Sequence, residues 1–218
     1  MTLKEIMANT TVKTYIRKAD ASLAELGYTE HSFAHVGHVA QMAGNLLQQL
    51  GYSERTVELA RIAGYLHDIG NLANRTEHSQ SGAVMAFCLL DKMEFPPDEI
   101  ATIVAAIGNH DENTGVPVNE IAAALIIADK SDVRRSRVRT RDPQKFDVHD
   151  KVNYSVVDSM LDLSEDKKQV TLSLTIDITV SSVMTYFEIF LERMLLCRRA
   201  AEKLGLEFKL VINSQVMI

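Results

Sequence analysis

The sequence predicts a mainly α-helical bundle followed by a small C-terminal α+β part. Three observations carry this. Over residues 1–140 apolar residues recur at spacings of three and four, in segments bounded by glycines, prolines and capping serines. After Pro143 the pattern changes to alternation, in two stretches rich in Val, Ile, Leu and Thr. The chain has 218 residues, 46% of them apolar, enough for one core domain with an appendage or two small domains. We place the boundary between a helical domain, 1–142, and a small α+β module, 143–218.

The elements follow in order. From Leu3 to Leu26 the stripe Val12, Ile16, Ala19, Leu23 and Leu26 predicts one helix ended by Gly27. The next spans about Glu30 to Leu50, with Val36, Val39, Ala40, Ala43, Leu46 and Leu47 inward and Gly51 as its stop. Ser53 caps a third, whose apolar positions run through Leu66 toward Gly70. After the loop NLANRTE, a helix runs from about His78 to Lys92, and Pro96–Pro97 opens another. Glu120 to about Arg135, containing AAALIIAD, is apolar enough for the centre of a bundle. Then VNYSVVDSMLDL and QVTLSLTIDI, separated by SEDKK, predict a β-hairpin. A helix from Ser181 or Ser182 to about Leu204 and a last strand, EFKLVIN, complete the chain.

Composition narrows the function. A net charge of -6 argues against a nucleic-acid polymer or an anionic membrane as partner. Cys88 and Cys197 lie in apolar helical stretches and read as buried free thiols, in keeping with a reducing compartment. The N-terminal MTLKEIMANTTVK lacks the apolar core of a signal peptide, and no apolar run reaches membrane-spanning length. The expectation is a soluble, cytoplasmic protein. The exposed strand edges of the hairpin make a homodimer plausible.

Six of the seven histidines fall in residues 1–140. The pair His67-Asp68, in YLHDIG, ends an otherwise apolar helix, where a carboxylate is costly unless paired or bound to a metal. Alone, such a pair suits a simple helix-end cap or ion pair. It has company: His35 at the edge of a core stripe, His78 opening HSQSGA, His110 ending a helix at IGNHDE, and Asp129 interrupting ALIIADK. Helices that each donate one inward imidazole or carboxylate are how bundles build dinuclear metal sites.

The ordered series His, His-Asp, His, His, Asp resembles the HD superfamily of metal-dependent phosphohydrolases. HVGHVAQMA is similar to the family's first-ligand segment and selects His35 over His31 and His38. LHDIGN is close to its signature turn, HSQSGA and IGNHDENTG resemble the segments giving the extra histidines of two-metal members, and ADKSD carries the final Asp. The resemblance covers roughly residues 28–140 and implies an HD-domain helical bundle. The six-residue set looks most like the bacterial hydrolases that split dinucleoside tetraphosphates symmetrically. It departs from the cyclic-dinucleotide phosphodiesterase branch, which has paired histidines where this chain has Asn109-His110, a Lys at Asn71, and a GYP tripeptide absent here.

The resemblance implies that His35, His67, Asp68 and Asp129 hold one divalent ion and His78 and His110 a second, with Asp68 bridging. Imidazole and carboxylate suit Fe, Mn, Co, Ni or Zn, so one or two such ions are expected without singling one out. The implied reaction is cleavage of a phosphoester or phosphoanhydride in a small, nucleotide-like phosphorylated substrate by a metal-activated hydroxide. After Lys130 come Arg134, Arg135, Arg137, Arg139 and Arg141, a concentrated positive segment. Arginine forks suit phosphate oxygens, and cations equally suit a solvated helix C-terminus. Lys130 and Arg134, nearest the site, are the phosphate-contact candidates. His31 reads as a surface residue near a helix start, His38 as structural, and His149 as outside the constellation. Asp111 and Glu112 suit either support of a ligand histidine or plain loop charge, and Arg75 is within reach of a substrate phosphate. Two other functions compete: a non-catalytic metal- or nucleotide-sensing regulator, and a redox di-iron protein.

Overall fold

A computed structural model describes residues 1–140 and 142–217; Arg141, the last of the basic segment, lies outside the described residues. The first half is helical throughout. Helices α1 (Leu3–Ala8) and α2 (Thr10–Glu25) replace the single expected helix, because the Asn9 side chain accepts from the Thr11 and Val12 amides and starts a new helix there. Helix α3 (Phe33–Leu50) is capped by Ser32 and stopped by Gly51 at φ 90. Then come α4 (Glu54–Leu66), a 3-10 turn (Ile69–Leu72), α5 (His78–Lys92), α6 (Pro97–Gly108) and α7 (Glu120–Ser131).

Helix α7 is the hub. Ile121 to Ala128 are all buried, and α7 packs on α3, α4 and α6. It ends at Ser131, one turn earlier than the sequence suggested, because Asp132 leaves the helical region (φ -79, ψ 68).

The second half is α8 (Val148–Ser155), β1 (Val156–Leu163), β2 (Gln169–Ile176), α9 (Val183–Lys203), β3 (Glu207–Ile212) and a two-residue strand β4 (Gln215–Val216). The hairpin, long helix and last strand lie where expected. Two elements were not anticipated. The residues VNYS belong to α8, begun by the Asp147 cap on the Asp150 amide, and β4 adds an edge. The sheet order is β1-β2-β3-β4, with β2 and β3 parallel across the α9 connection and the other pairs antiparallel. Val170, Leu172, Leu174, Phe208, Leu210 and Ile212 form its buried face.

Helix α9 also packs along α7 through Tyr186, Phe190, Met194 and Cys197, so one continuous core runs through both halves. Cys197 is buried as expected, but Cys88 is exposed: it lies on α5 beside the exposed Val84 and Phe87. Among the described residues, no helix is long and apolar enough to cross a membrane.

Candidate metal centre

Five elements bring one polar cluster to the side of α7. His35 sits in the first turn of α3, one residue before the buried Val36, so the core stripe carries it inward. His67 caps the C-terminus of α4 just past Leu66, and Asp68 leads into the 3-10 turn. That turn requires Gly70: a Cβ there would lie 2.0 Å from the His78 carbonyl oxygen and 2.4 Å from the Gly82 nitrogen. His78 opens α5, His110 follows α6, and Asp129 projects from α7. The four imidazoles are buried, three of them completely.

The imidazoles share one orientation. Each turns Nδ1 outward to an acceptor: His35 to Asp132 Oδ2 at 2.7 Å, His67 to Gly64 O at 2.8 Å, His78 to Arg75 O at 3.1 Å, His110 to Ile107 O at 2.6 Å. Donation from Nδ1 fixes the tautomer and leaves the Nε2 lone pair facing the cluster. Asp68 Oδ2 lies 3.4 Å from His35 Nε2 and 3.2 Å from His67 Nε2, while its Oδ1 lies 3.6 Å from His78 Nε2. One carboxylate thus straddles both ends of the cluster. Asp129 Oδ1 is 3.4 Å from His35 Nε2 and 3.6 Å from His67 Nε2. His78 and His110 face each other Nε2 to Nε2 at 3.2 Å.

These residues fit a divalent ion. His35, His67 and Asp129 offer ligand atoms within 4.8 Å of one another, and so do His67, Asp68 and His110. Among the described residues, the Nε2 atoms of His35 and His67 are buried with no hydrogen-bond partner. Two inward lone pairs without donors, beside two carboxylates, are costly unless a cation meets them.

Electrostatics divides the cluster. Burial opposes charge at His35 and His67, yet the carboxylates outweigh it: His35 is raised by Asp129, Asp132 and Asp68, and His67 is raised to about 10 by Asp68 and Asp129. Asp68 and Asp129 are held well below the usual carboxylate range against their burial, by His67 and, for Asp129, first by Lys130. His78 and His110 are lowered, by burial first and then by Arg75 and His67 respectively. So the carboxylates favour the charged form of His35 and His67, while burial and neighbouring cations favour the neutral form of His78 and His110.

Lys130 is buried beside the cluster, its Nζ 2.8 Å from Asp129 Oδ2 and 2.7 Å from Glu112 Oε2. Arg193 of α9 donates to Glu112 Oε1 at 3.0 Å. Above the cluster opens a cleft of about 170 Å³, lined by Asp68, His78, Asp129, Lys130 and Arg75 on the helical side. The far wall comes from α8 and α9, through Asn153, Phe190 and Arg193.

The cluster contains all six sequence-derived ligand candidates, and Lys130 lines the cleft. Arg134 does not: its Nε is bound to Asp132 Oδ1 at 2.6 Å, and it faces a separate groove with His38 and Met42. The rest of the basic segment mostly supports backbone. Arg135 donates to Tyr154 O, Arg137 to Glu30 O and Asp132 O, and Arg139 to Tyr28 O, as the chain leaves the helix. His31 is not a surface residue: it is half-buried, its ring edge-on to His35 at 5.4 Å, and it lines the cleft, as does His149 at the mouth. Asp132 was missed as the partner of His35. Its position three residues after Asp129, in ADKSD, was the available signal. For Arg193 the sequence carried none.

The family model of the HD domain matches residues 32–136, the stretch holding all six candidate ligands. An uncharacterized protein of Methanocaldococcus jannaschii is 24% identical over 213 residues, covering 87% of this chain and 80% of that protein. The crystal structure of a predicted HD superfamily hydrolase from an uncultured Thermotogales bacterium is 24% identical, covers 62% of this chain and 75% of that one, and superposes with a TM-score of 0.47. Residues 32–136 of this chain are thus similar to the HD domain.

Proposed function

We propose that this chain is a metal-dependent phosphohydrolase, cleaving a phosphoester or phosphoanhydride of a small nucleotide-like substrate in the cleft above the histidine–aspartate cluster. One observation carries the reading: four imidazoles pinned at Nδ1 turn Nε2 toward the carboxylates of the buried Asp68 and the half-buried Asp129. His35, His67, Asp68 and Asp129 would hold one divalent ion, and His78, His110 and the other oxygen of Asp68 a second. Such ions supply Lewis acidity toward a phosphoryl oxygen and a nucleophilic water near neutral pH.

The remaining residues prepare that site. Asp132 fixes the His35 ring, and Lys130 ties up Asp129 Oδ2 so that Oδ1 stays inward. Glu112 and Arg193 hold Lys130 in place from the loop after α6 and from α9. Asn71 donates to Asp68 Oδ1 at 2.9 Å and fixes the plane of that carboxylate. No side-chain nucleophile is needed for this chemistry.

The finer implication of the sequence resemblance is symmetrical cleavage of a dinucleoside tetraphosphate. In a cleft of about 170 Å³ such a substrate would seat its reacting phosphates and extend through the mouth. The test is to incubate the protein with Mn²⁺ and a panel of dinucleoside tetraphosphate, nucleoside mono-, di- and triphosphates and simple phosphomonoesters. Release of phosphate or mononucleotide, abolished by a chelator and restored by Mn²⁺, is the expected result. Stoichiometric ion binding without turnover on any member would favour the sensing role.

A further inference from the structure

We propose that Arg75 gates the second ion position: its guanidinium competes with that ion for His78 and is drawn off when a phosphate enters the cleft. This rests on the phosphohydrolase reading above. Arg75 lies in the loop between the 3-10 turn and α5, three residues before His78. Its guanidinium sits over the Tyr28 ring at 5.7 Å, and Nη1 is 3.3 Å from Asn71 Oδ1 and 3.3 Å from His78 Nε2.

That last atom is the one through which His78 would hold an ion, since its Nδ1 already faces the Arg75 carbonyl. The same Nε2 faces His110 Nε2 at 3.2 Å and Asp68 Oδ1 at 3.6 Å. An arginine keeps its charge at any working pH, so its fork and a divalent ion oppose each other at one imidazole. At the first position, among the described residues, the atoms near His35 Nε2 are the oxygens of Asp68 and Asp129, and Lys130 holds the other oxygen of Asp129, not His35.

Arg75 also differs from the other cations of the cleft. Lys130 is held by Asp129 and Glu112, Arg193 by Glu112, and Arg137 stands 3.8 Å from Asp132. Among the described residues, the contacts of Arg75 are with neutral groups: an amide, an imidazole and an aromatic face. Its planar fork is therefore the one best placed to turn to a phosphate. Turning away uncovers His78 Nε2. Phosphate and the second ion should then each strengthen the other's binding by the same factor.

The experiment is calorimetric titration of metal-free protein with Mn²⁺, with and without inorganic phosphate, for wild type, Arg75→Met and Arg75→Gln. Two neutral variants are used because Gln keeps an amide to bond Asn71 if the Met variant folds poorly. In wild type the second ion should bind at least tenfold more weakly than the first, and phosphate should narrow the gap. In the neutral variants the second ion should tighten at least tenfold without phosphate, and most of the phosphate effect should vanish. Second-ion affinity in a folded variant equal to or below wild type would overturn the gate and leave the hydrolase reading standing, as would an undiminished phosphate effect. A wild type that takes up no ion would overturn the metal reading and the gate with it.

Discussion

Replacing Asp132 by Asn is the most informative single perturbation of the centre outside its proposed ligands. Asp132 is buried; its Oδ2 accepts from His35 Nδ1 at 2.7 Å and its Oδ1 from Arg134 Nε at 2.6 Å. Asn has nearly the same shape but carries no charge, and one of its two terminal atoms becomes a donor. If its oxygen faces His35, its amide group faces the Arg134 guanidinium, donor against donor. His35 loses the charge that orients it and makes it basic. Outer partners of this kind are worth about 10- to 100-fold in metal affinity, or about 1.4–2.8 kcal/mol. Folding also suffers, because Arg137 loses its nearby carboxylate while keeping carbonyl partners at Glu30 and Asp132. We expect a stability loss of about 3 kcal/mol, the low end for breaking a buried pair. Competition against a chromophoric chelator measures the first, and denaturant unfolding of the metal-free protein the second. A folded Asp132→Asn protein with wild-type metal affinity would refute the claim that this carboxylate orients the ligand.

Three further outcomes follow from the geometry. Metal loading at pH 7 should release protons, because His67 is raised to about 10 in the metal-free cluster and an ion must displace that proton; affinity therefore rises with pH up to that range. Calorimetry in buffers of different ionisation enthalpy measures this, and a buffer-independent heat would contradict it. Gly70→Ala should cost about 3 kcal/mol of stability, since its Cβ would meet backbone atoms at 2.0 and 2.4 Å rather than a side chain that can move; an unchanged unfolding midpoint would count against the tight turn. Lys130→Met should cost about 3 kcal/mol, because it leaves the half-buried Asp129 and Glu112 without the buried cation they share. A variant as stable as the parent in thermal unfolding would show that the ion-pair network is not structural.

The candidate ligands were legible because each is a polar, metal-competent residue at the margin of an apolar segment, and burial there demands a partner. What stayed hidden has local causes. VNYSVVDSMLDL alternates like a strand along its whole length, but the Asp147 cap organises its first residues into α8 before the strand begins. Asp132 stayed hidden because the sequence does not show that α7 stops at Ser131 and turns this side chain back onto His35. Arg134 seemed near the site for the same reason; the break sends it to the other side of Asp132. The Arg193–Glu112 pair joins residues 81 positions apart, across the junction between the helical and α+β parts, and no local pattern encodes such a contact. That pair, with Phe190 and Asn153, also makes the C-terminal part a wall of the cleft rather than an appendage.

In the proposed centre, Asp68 would join two ion positions into one hydrolytic site. Its Oδ2 faces His35 and His67 and its Oδ1 faces His78, so its loss should empty both positions, whereas His110→Ala should retain close to one ion. The direct measurement is metal content by elemental analysis, paired with turnover on the best substrate of the panel, for wild type, Asp68→Ala and His110→Ala. Wild type should carry up to two ions and turn over, Asp68→Ala should do neither, and His110→Ala should keep one ion with most turnover lost. Full metal content in Asp68→Ala, or wild-type turnover in His110→Ala, would contradict this arrangement.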